Sequence, residues 1–262
     1  MPGSHALVPQ THSPNSPKPP KLPFDVIVTT CLEYAPRTLP ALFETMRAAR
    51  VPMDSVHVVV GSCPEAPLAD LVAMIADLEP LVGVTAVPFG ALELTGVVAC
   101  ARGVVSTTPW FMMIHDTSFV GPSFVQRASE VHSRVRDTED FDVVKLLDTF
   151  SMSVGFYRRD WVRSKAADMV SIVSPDIDSI RTLKMVVDDI VFAMADPKRT
   201  AVLGRFDDLN DRADVGRFMY KDSATDRLVE HYPSLDLYKL KSRYGKSTAV
   251  RGDCVLEMPV GV

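Results

Sequence analysis

The most apolar stretch of the chain, Trp110-Phe-Met-Met-Ile114, runs straight into His115-Asp116-Thr117-Ser118. An imidazole and a carboxylate side by side at a strand end offer nitrogen and hard oxygen to one divalent ion, and such an ion can bridge a diphosphate. The competing reading makes Asp116 the cap of a turn and His115 a hydrogen-bonding residue at a sheet edge. Earlier in the chain, Thr30-Cys-Leu-Glu33-Tyr34-Ala-Pro-Arg37 follows another apolar strand. This loop could hold a nucleotide, with Tyr34 stacked on the base and Arg37 paired with phosphate. It could equally be a plain lid. Between Leu237 and Arg251 stand Lys239, Lys241, Arg243, Lys246 and Arg251 with no Glu among them and Asp253 only beyond. Such a run could close over a diphosphate or form a solvated basic tail.

Several chemistries lack their signatures. Neither G-x-G-x-x-G nor G-x-x-x-x-G-K-[ST] follows the first strand, whose loop has no glycine to bring backbone amides around a pyrophosphate. G-x-S-x-G and H-E-x-x-H are also missing, so hydrolase readings have no positive support. The four cysteines Cys31, Cys63, Cys100 and Cys254 form no C-x-x-C pair and read as reduced core thiols. A formal charge of -5 argues against a general nucleic-acid partner, whose affinity rests on surplus Lys and Arg. Arg251-Gly-Asp253 spells an integrin-type tripeptide, to which no role is given.

These residues need elements to position them. Asp25 to Thr30 reads as a buried strand, and Leu39, Leu42, Phe43 and Met46 then mark a helix with one apolar face. Ser55 to Val60 repeats the strand, and Leu68, Leu71, Val72, Ile75 and Leu78 line a second helix. A third strand near Val84 to Val87, an Ala/Val-rich helix near Thr95 to Val105 and the strand Trp110 to Ile114 complete the series. Continuous apolar strands separated by helices predict a parallel sheet covered on both faces. Past Gly121-Pro122 a helix through Phe124, Ala128, Val131 and Val135 is expected, then strands over Asp142 to Leu147 and Ser153 to Tyr157. Ser174-Pro175 starts an apolar stripe that reaches Met194.

The expected class is α/β, a mostly parallel sheet flanked by helices, with an α+β second half and an irregular C-terminal segment. Seven of the twenty prolines fall within residues 1–23, which reads as a flexible arm. Residues 24–200 form the expected catalytic domain, and residues 201–262 a segment that packs on or closes over it. The longest apolar run is far short of the roughly 20 residues of a bilayer span, and the N-terminus lacks a secretory pattern, so a cytoplasmic location without a membrane span is expected.

The order of these parts resembles a family-2-like glycosyltransferase of the GT-A fold. The resemblance is carried by VIVTTCLEY, VHVVVGS, FMMIHDTSFVGPSF, SVGFYRRDW and MVVDDIVFAMA, over about residues 24 to 200. It implies transfer of a sugar from a nucleotide-sugar donor, a UDP-sugar foremost, to a hydroxyl acceptor in a glycan, a protein or a small molecule. Asp116 and His115 then correspond to the acidic metal motif for Mn2+ or Mg2+, completed by His231. Thr30, Glu33, Tyr34, Arg37 and Ser62 correspond to the nucleotide-binding residues. In an inverting enzyme Asp189 or Asp188 would be the base that takes the acceptor's proton. If one helix runs unbroken from Pro175 to Ala195, however, both acids lie on a solvated face. The pattern also departs from the family: His115-Asp116-Thr117 stands where Asp-x-Asp is usual, and Gly61-Ser62 where an Asp usually ends the second strand. A catalytically silent domain binding a glycan or protein is one alternative, and a nucleotidyltransferase is another.

Overall fold

A computed structural model describes residues 21–62, 68–146, 154–169, 173, 194–204 and 228–241, with backbone alone at 68, 92, 228–231, 240 and 241. The first strand, β1 (Asp25–Cys31), is buried without interruption from Val26 to Thr30. A strand apolar on both faces belongs in the middle of a covered sheet. That is where it lies, between β2 (Val56–Gly61) and β4 (Trp110–His115), parallel to each. The sheet continues through β3 (Gly83–Ala86) on one side. On the other come β7 (Gly155–Arg158), β6 (Val143–Lys145) and β8 (Thr200–Val202), giving seven strands in the order β3-β2-β1-β4-β7-β6-β8. Only β7 runs against the rest, since it pairs antiparallel with both β4 and β6. The expected mostly parallel sheet flanked by helices is present.

Alternation along the strands divides the interior into two cores. Val26 and Val28 of β1, with Met112 and Ile114 of β4, meet α1 (Ala35–Ala48), α2 (Leu68–Leu78) and α4 (Phe124–Val135). Ile27, Phe111 and Met113 point the other way, to α3 (Thr95–Ala101), α5 (Arg159–Ser164) and α6 (Ala166–Met169). Leu39, Leu42, Phe43 and Met46 are all fully buried, as their helical spacing predicts. Each such side chain contributes about 1.5–3 kcal/mol relative to exposure. Pro40 in α1 cannot donate to the carbonyl of Pro36. At the head of that helix, the Thr38 hydroxyl reinforces the first turn by donating to the Tyr34 carbonyl at 2.9 Å.

Two features depart from the sequence expectation. The helix expected to reach Val105 ends at Ala101, where Gly103 adopts a positive φ of 69°. A second sheet also appears, β5 (Ser118–Val120) with the ribbon β9 (Leu228–Tyr232) and β10 (Leu237–Lys241), in the order β5-β10-β9. It lies against α1, where Val120 N–H donates to Thr45 Oγ1 at 3.3 Å. Cys31 and Cys100 carry free thiols, and burial pushes that of Cys100 up to about 12. Cys63, Cys254, residues 1–20 of the expected arm 1–23 and positions 174–193 of the stripe lie outside the described residues, whereas Leu22, near the end of that arm, is buried in the core and donates its N–H to Ser55 Oγ at 3.0 Å.

Candidate functional site

In an open α/β sheet, ligands gather beyond the carboxyl ends of the strands. Here the ends of β1 and β4 are neighbours, Thr29 pairing with His115. Asp116 extends that pairing by one step, its N–H donating to the Thr29 carbonyl at 3.1 Å. Its carboxylate is buried, 8% exposed, and Oδ2 accepts from the hydroxyls of Thr30 at 2.6 Å and Thr38 at 3.0 Å. Asp116 therefore ties the last turn of β1 to the first turn of α1. Burial pushes its carboxyl above the ordinary carboxylate range, while the two hydroxyls, the Thr117 amide and the charge of Lys239 pull the other way.

Lys239 reaches this place from β10. Its side chain is only 7% exposed and its Nζ lies 3.8 Å from Oε1 of Glu93, in the single turn that precedes α3. An ammonium removed from water needs a compensating carboxylate; Glu93 pairs with it, and the charge of Asp116 acts on it from farther off. In the ladder Lys239 stands directly opposite Ser118, whose buried Oγ has no hydrogen-bond partner among the described residues. The result is one cation and two acids at the ends of the central strands, with the hydroxyls of Thr30, Thr38 and Ser118 nearby.

The residues singled out from the sequence fare differently. Thr30 and Asp116 come together. His115 is buried one step earlier, and the pleat turns it toward the opposite face. Its partner Thr29 marks that face by accepting the Gly96 N–H of α3 at 3.1 Å. Consecutive strand residues cannot both converge on one ion above a single face. Glu33 and Arg37 are exposed, and Tyr34 is half-buried at the head of α1. Ser62 follows β2 with φ 53°, its N–H donating to the Phe89 carbonyl at 2.9 Å. Residue 231 pairs with Tyr238 in the β9–β10 ladder; only its backbone is described. Asp188 and Asp189 lie outside the described residues.

These placements bear on the expected Mn2+ or Mg2+. Among the described residues no group of three His, Cys, Asp or Glu is arranged to hold a metal ion. Asp116 Oδ2 is already taken by two hydroxyls, and the Lys239 charge acts on the same carboxylate. The described residues do not fit a divalent ion. Thr38, Glu93 and Lys239 join the site beyond the residues expected to build it. Lys239 lay within the basic stretch, and its phase with the apolar Leu237 was the available signal that it points inward. Glu93 gives none, because its partners are remote in sequence.

No helix among the described residues is long and apolar enough to cross a membrane. No family model matches the chain, and no curated protein matches it. Solved structures that resemble it do so at low identity and low TM-score. Staphylococcus aureus TarS 1-349 is 13% identical, with a TM-score of 0.43 over 68% of this chain and 58% of that one. The galactosyltransferase LgtC, solved with donor and acceptor sugar analogues, is 14% identical, with a TM-score of 0.44 over 68% and 72%. The mannosyltransferase PcManGT of Pyrobaculum calidifontis, solved with GDP-Man and Mn2+, is 11% identical, with a TM-score of 0.41 over 72% and 59%. The match thus spans less than two thirds of the TarS and PcManGT chains.

Proposed function

We propose that this protein is a glycosyltransferase that moves a sugar from a nucleotide-sugar donor to a hydroxyl acceptor. The observation that carries the reading is the charged cluster beyond the ends of β1 and β4, in which Asp116 and Lys239 are buried and Glu93 is part-exposed. Below it lies the apolar sheet, its strands buried on both faces, and beside it lies the loop that a nucleotide would use. The base would lie along Thr30 to Arg37 and against Ser62, with Tyr34 stacked on it and Arg37 over phosphate. The diphosphate would then sit at the head of α1, where the helix N-terminus favours negative charge.

Transfer requires the acceptor oxygen to attack the anomeric carbon as its bond to the diphosphate oxygen breaks. A carboxylate must remove the acceptor's proton, and Asp189, or Asp188 beside it, is assigned that step in an inverting reaction. The leaving diphosphate gains negative charge as the bond breaks, so fixed positive charge aimed at it accelerates the step. If Mn2+ or Mg2+ takes part, it would need ligands besides Asp116, His231 foremost, and would supply charge to the leaving diphosphate. A UDP-sugar is the first donor to test.

A thermal-shift panel of UDP, GDP, CMP and TDP, each with and without Mn2+, tests the donor class. A nucleotide at about 100 times its Kd stabilises by about 2.7 kcal/mol, a rise in Tm of a few degrees for a chain of this size. One nucleotide is expected to shift Tm, and its sugar conjugate to release nucleotide diphosphate on incubation. If none of the four shifts Tm under either condition, the reading is wrong. Binding without turnover across acceptors would instead favour the silent domain.

A further inference from the structure

A lysine this deeply buried needs a reason to be there. An ammonium in the interior is costly unless paired, and a pair serving stability alone is commonly replaced by apolar residues without loss. Lys239 is instead delivered by a ribbon fastened at its turn. Gly121 N–H donates to the Asp236 carbonyl at 2.8 Å and Ser123 N–H to Asp236 Oδ2 at 2.9 Å. Three residues after Asp236, the ladder sets Lys239 opposite Ser118. The ammonium thereby stands by Glu93 and in the field of Asp116, at the strand ends where a phosphate-bridging cation would be needed. The Ser118 hydroxyl, buried and without a hydrogen-bond partner among the described residues, is a further donor beside it.

We propose that Lys239 is the cation that receives the donor's diphosphate, assisted by the Ser118 hydroxyl, so that nucleotide binding here needs no divalent ion. The inference rests on the nucleotide-sugar reading and adds to it the group that meets the phosphates. A lysine does this as a point charge that donates to phosphate oxygens. When the diphosphate enters, Lys239 exchanges part of its contact with Glu93 for contact with phosphate. Its attachment to a strand limits the reorganisation this takes.

The test is calorimetric titration of the full chain, in excess chelator and again with Mn2+, using the nucleotide diphosphate that raises Tm and its parent nucleoside. The wild type is expected to bind the diphosphate in chelator with nearly the affinity it has in Mn2+. Lys239→Gln should weaken diphosphate binding by about tenfold or more and leave the nucleoside unaffected, while Lys239→Arg retains part of the affinity. Should Lys239→Gln fail to fold, the wild-type series of nucleoside, monophosphate and diphosphate in chelator decides. Affinity that rises with each phosphate supports the inference, and a flat series overturns it. Wild-type binding that vanishes in chelator and returns with Mn2+ overturns it too, while leaving the nucleotide-sugar reading intact. If no nucleotide binds under either condition, that reading falls and this inference falls with it.

Discussion

Asp116 carries two kinds of contact that a substitution can separate. Its Oδ2 closes hydrogen bonds from Thr30 and Thr38, and its charge is held in a desolvated place. A carboxyl whose folded pKa is raised contributes stability that is complete below its unfolded pKa and is lost as pH rises through the folded value. At neutral pH the ionised form of Asp116 therefore costs stability. Asp116→Asn keeps an oxygen for both hydroxyls and removes the charge, so Tm is expected to hold or rise. Nucleotide affinity is expected to hold or rise as well, because a negative charge that competes with the diphosphate for the field of Lys239 is gone. Asp116→Ala differs, taking the close acceptor from the buried Thr30 hydroxyl at a cost of about 1–3 kcal/mol, while Thr38 keeps the Tyr34 carbonyl. Scanning calorimetry and titration of the two variants side by side make the comparison. An Asn variant as unstable as the Ala variant would show that the carboxylate serves the fold and not the site. The abrupt change from Ile114 to polar residues made Asp116 legible in the sequence. Adjacency to His115 misled, since a strand alternates its faces at every residue and sends the two side chains apart.

At the scale of elements, the β9–β10 ribbon reaches the site through a narrow fitting at Gly121. A Cβ at that position would lie 2.3 Å from the Asp236 carboxylate, so any side chain there must push the turn away. Gly121→Ala is expected to free the ribbon while the seven-stranded sheet stays intact. Hydrogen exchange would then show protection lost over residues 228–241 and kept in β1 and β4, with nucleotide affinity reduced as far as in the Lys239 variants. Gly121→Ala combined with Asp236→Ala relieves the clash and should restore part of the protection. Uniform loss across the sheet would mean that the ribbon and the sheet unfold as one unit. The ribbon was not legible in advance, for physical reasons. The strands β1, β2 and β4 are buried on both faces and leave continuous apolar runs, whereas β5 has three residues and β10 mixes Leu237 with Tyr238 and Lys239. Pairing between β5 and β10 joins residues more than a hundred positions apart, and no local pattern encodes that register. The helix α5 opens on Arg159-Asp160, and only Trp161 and Val162 are buried, too few positions to establish a period.

The molecule as a whole carries a pH sensitivity set away from the site. His132 of α4 is buried against the Phe24 ring, with centroids 5.3 Å apart, and its Nδ1 has no hydrogen-bond partner among the described residues. Burial lowers its pKa, Arg136 lowers it further, and Asp137 partly offsets both. His57 is shifted the same way, by burial against the opposing pull of Asp25. A histidine whose folded pKa is depressed binds fewer protons folded than unfolded, so stability rises with pH between the folded value and the unfolded 6.5. Unfolding free energy is therefore expected to fall as pH is lowered from about 7.5 to about 5.5, with a slope of up to about 1.4 kcal/mol per pH unit for each group. Denaturant titrations at a series of pH values measure the slope. His132→Gln removes one of the two contributions and should flatten the curve, while nucleotide affinity at neutral pH stays at the wild-type value because the His132 ring packs on Phe24, just before the start of β1 and away from the strand ends that carry the site. A slope unchanged in His132→Gln would assign the effect to His57, whose Nε2 lies 2.8 Å from Thr85 Oγ1 at the other end of the sheet. The parallel variant His57→Gln would then flatten it alone.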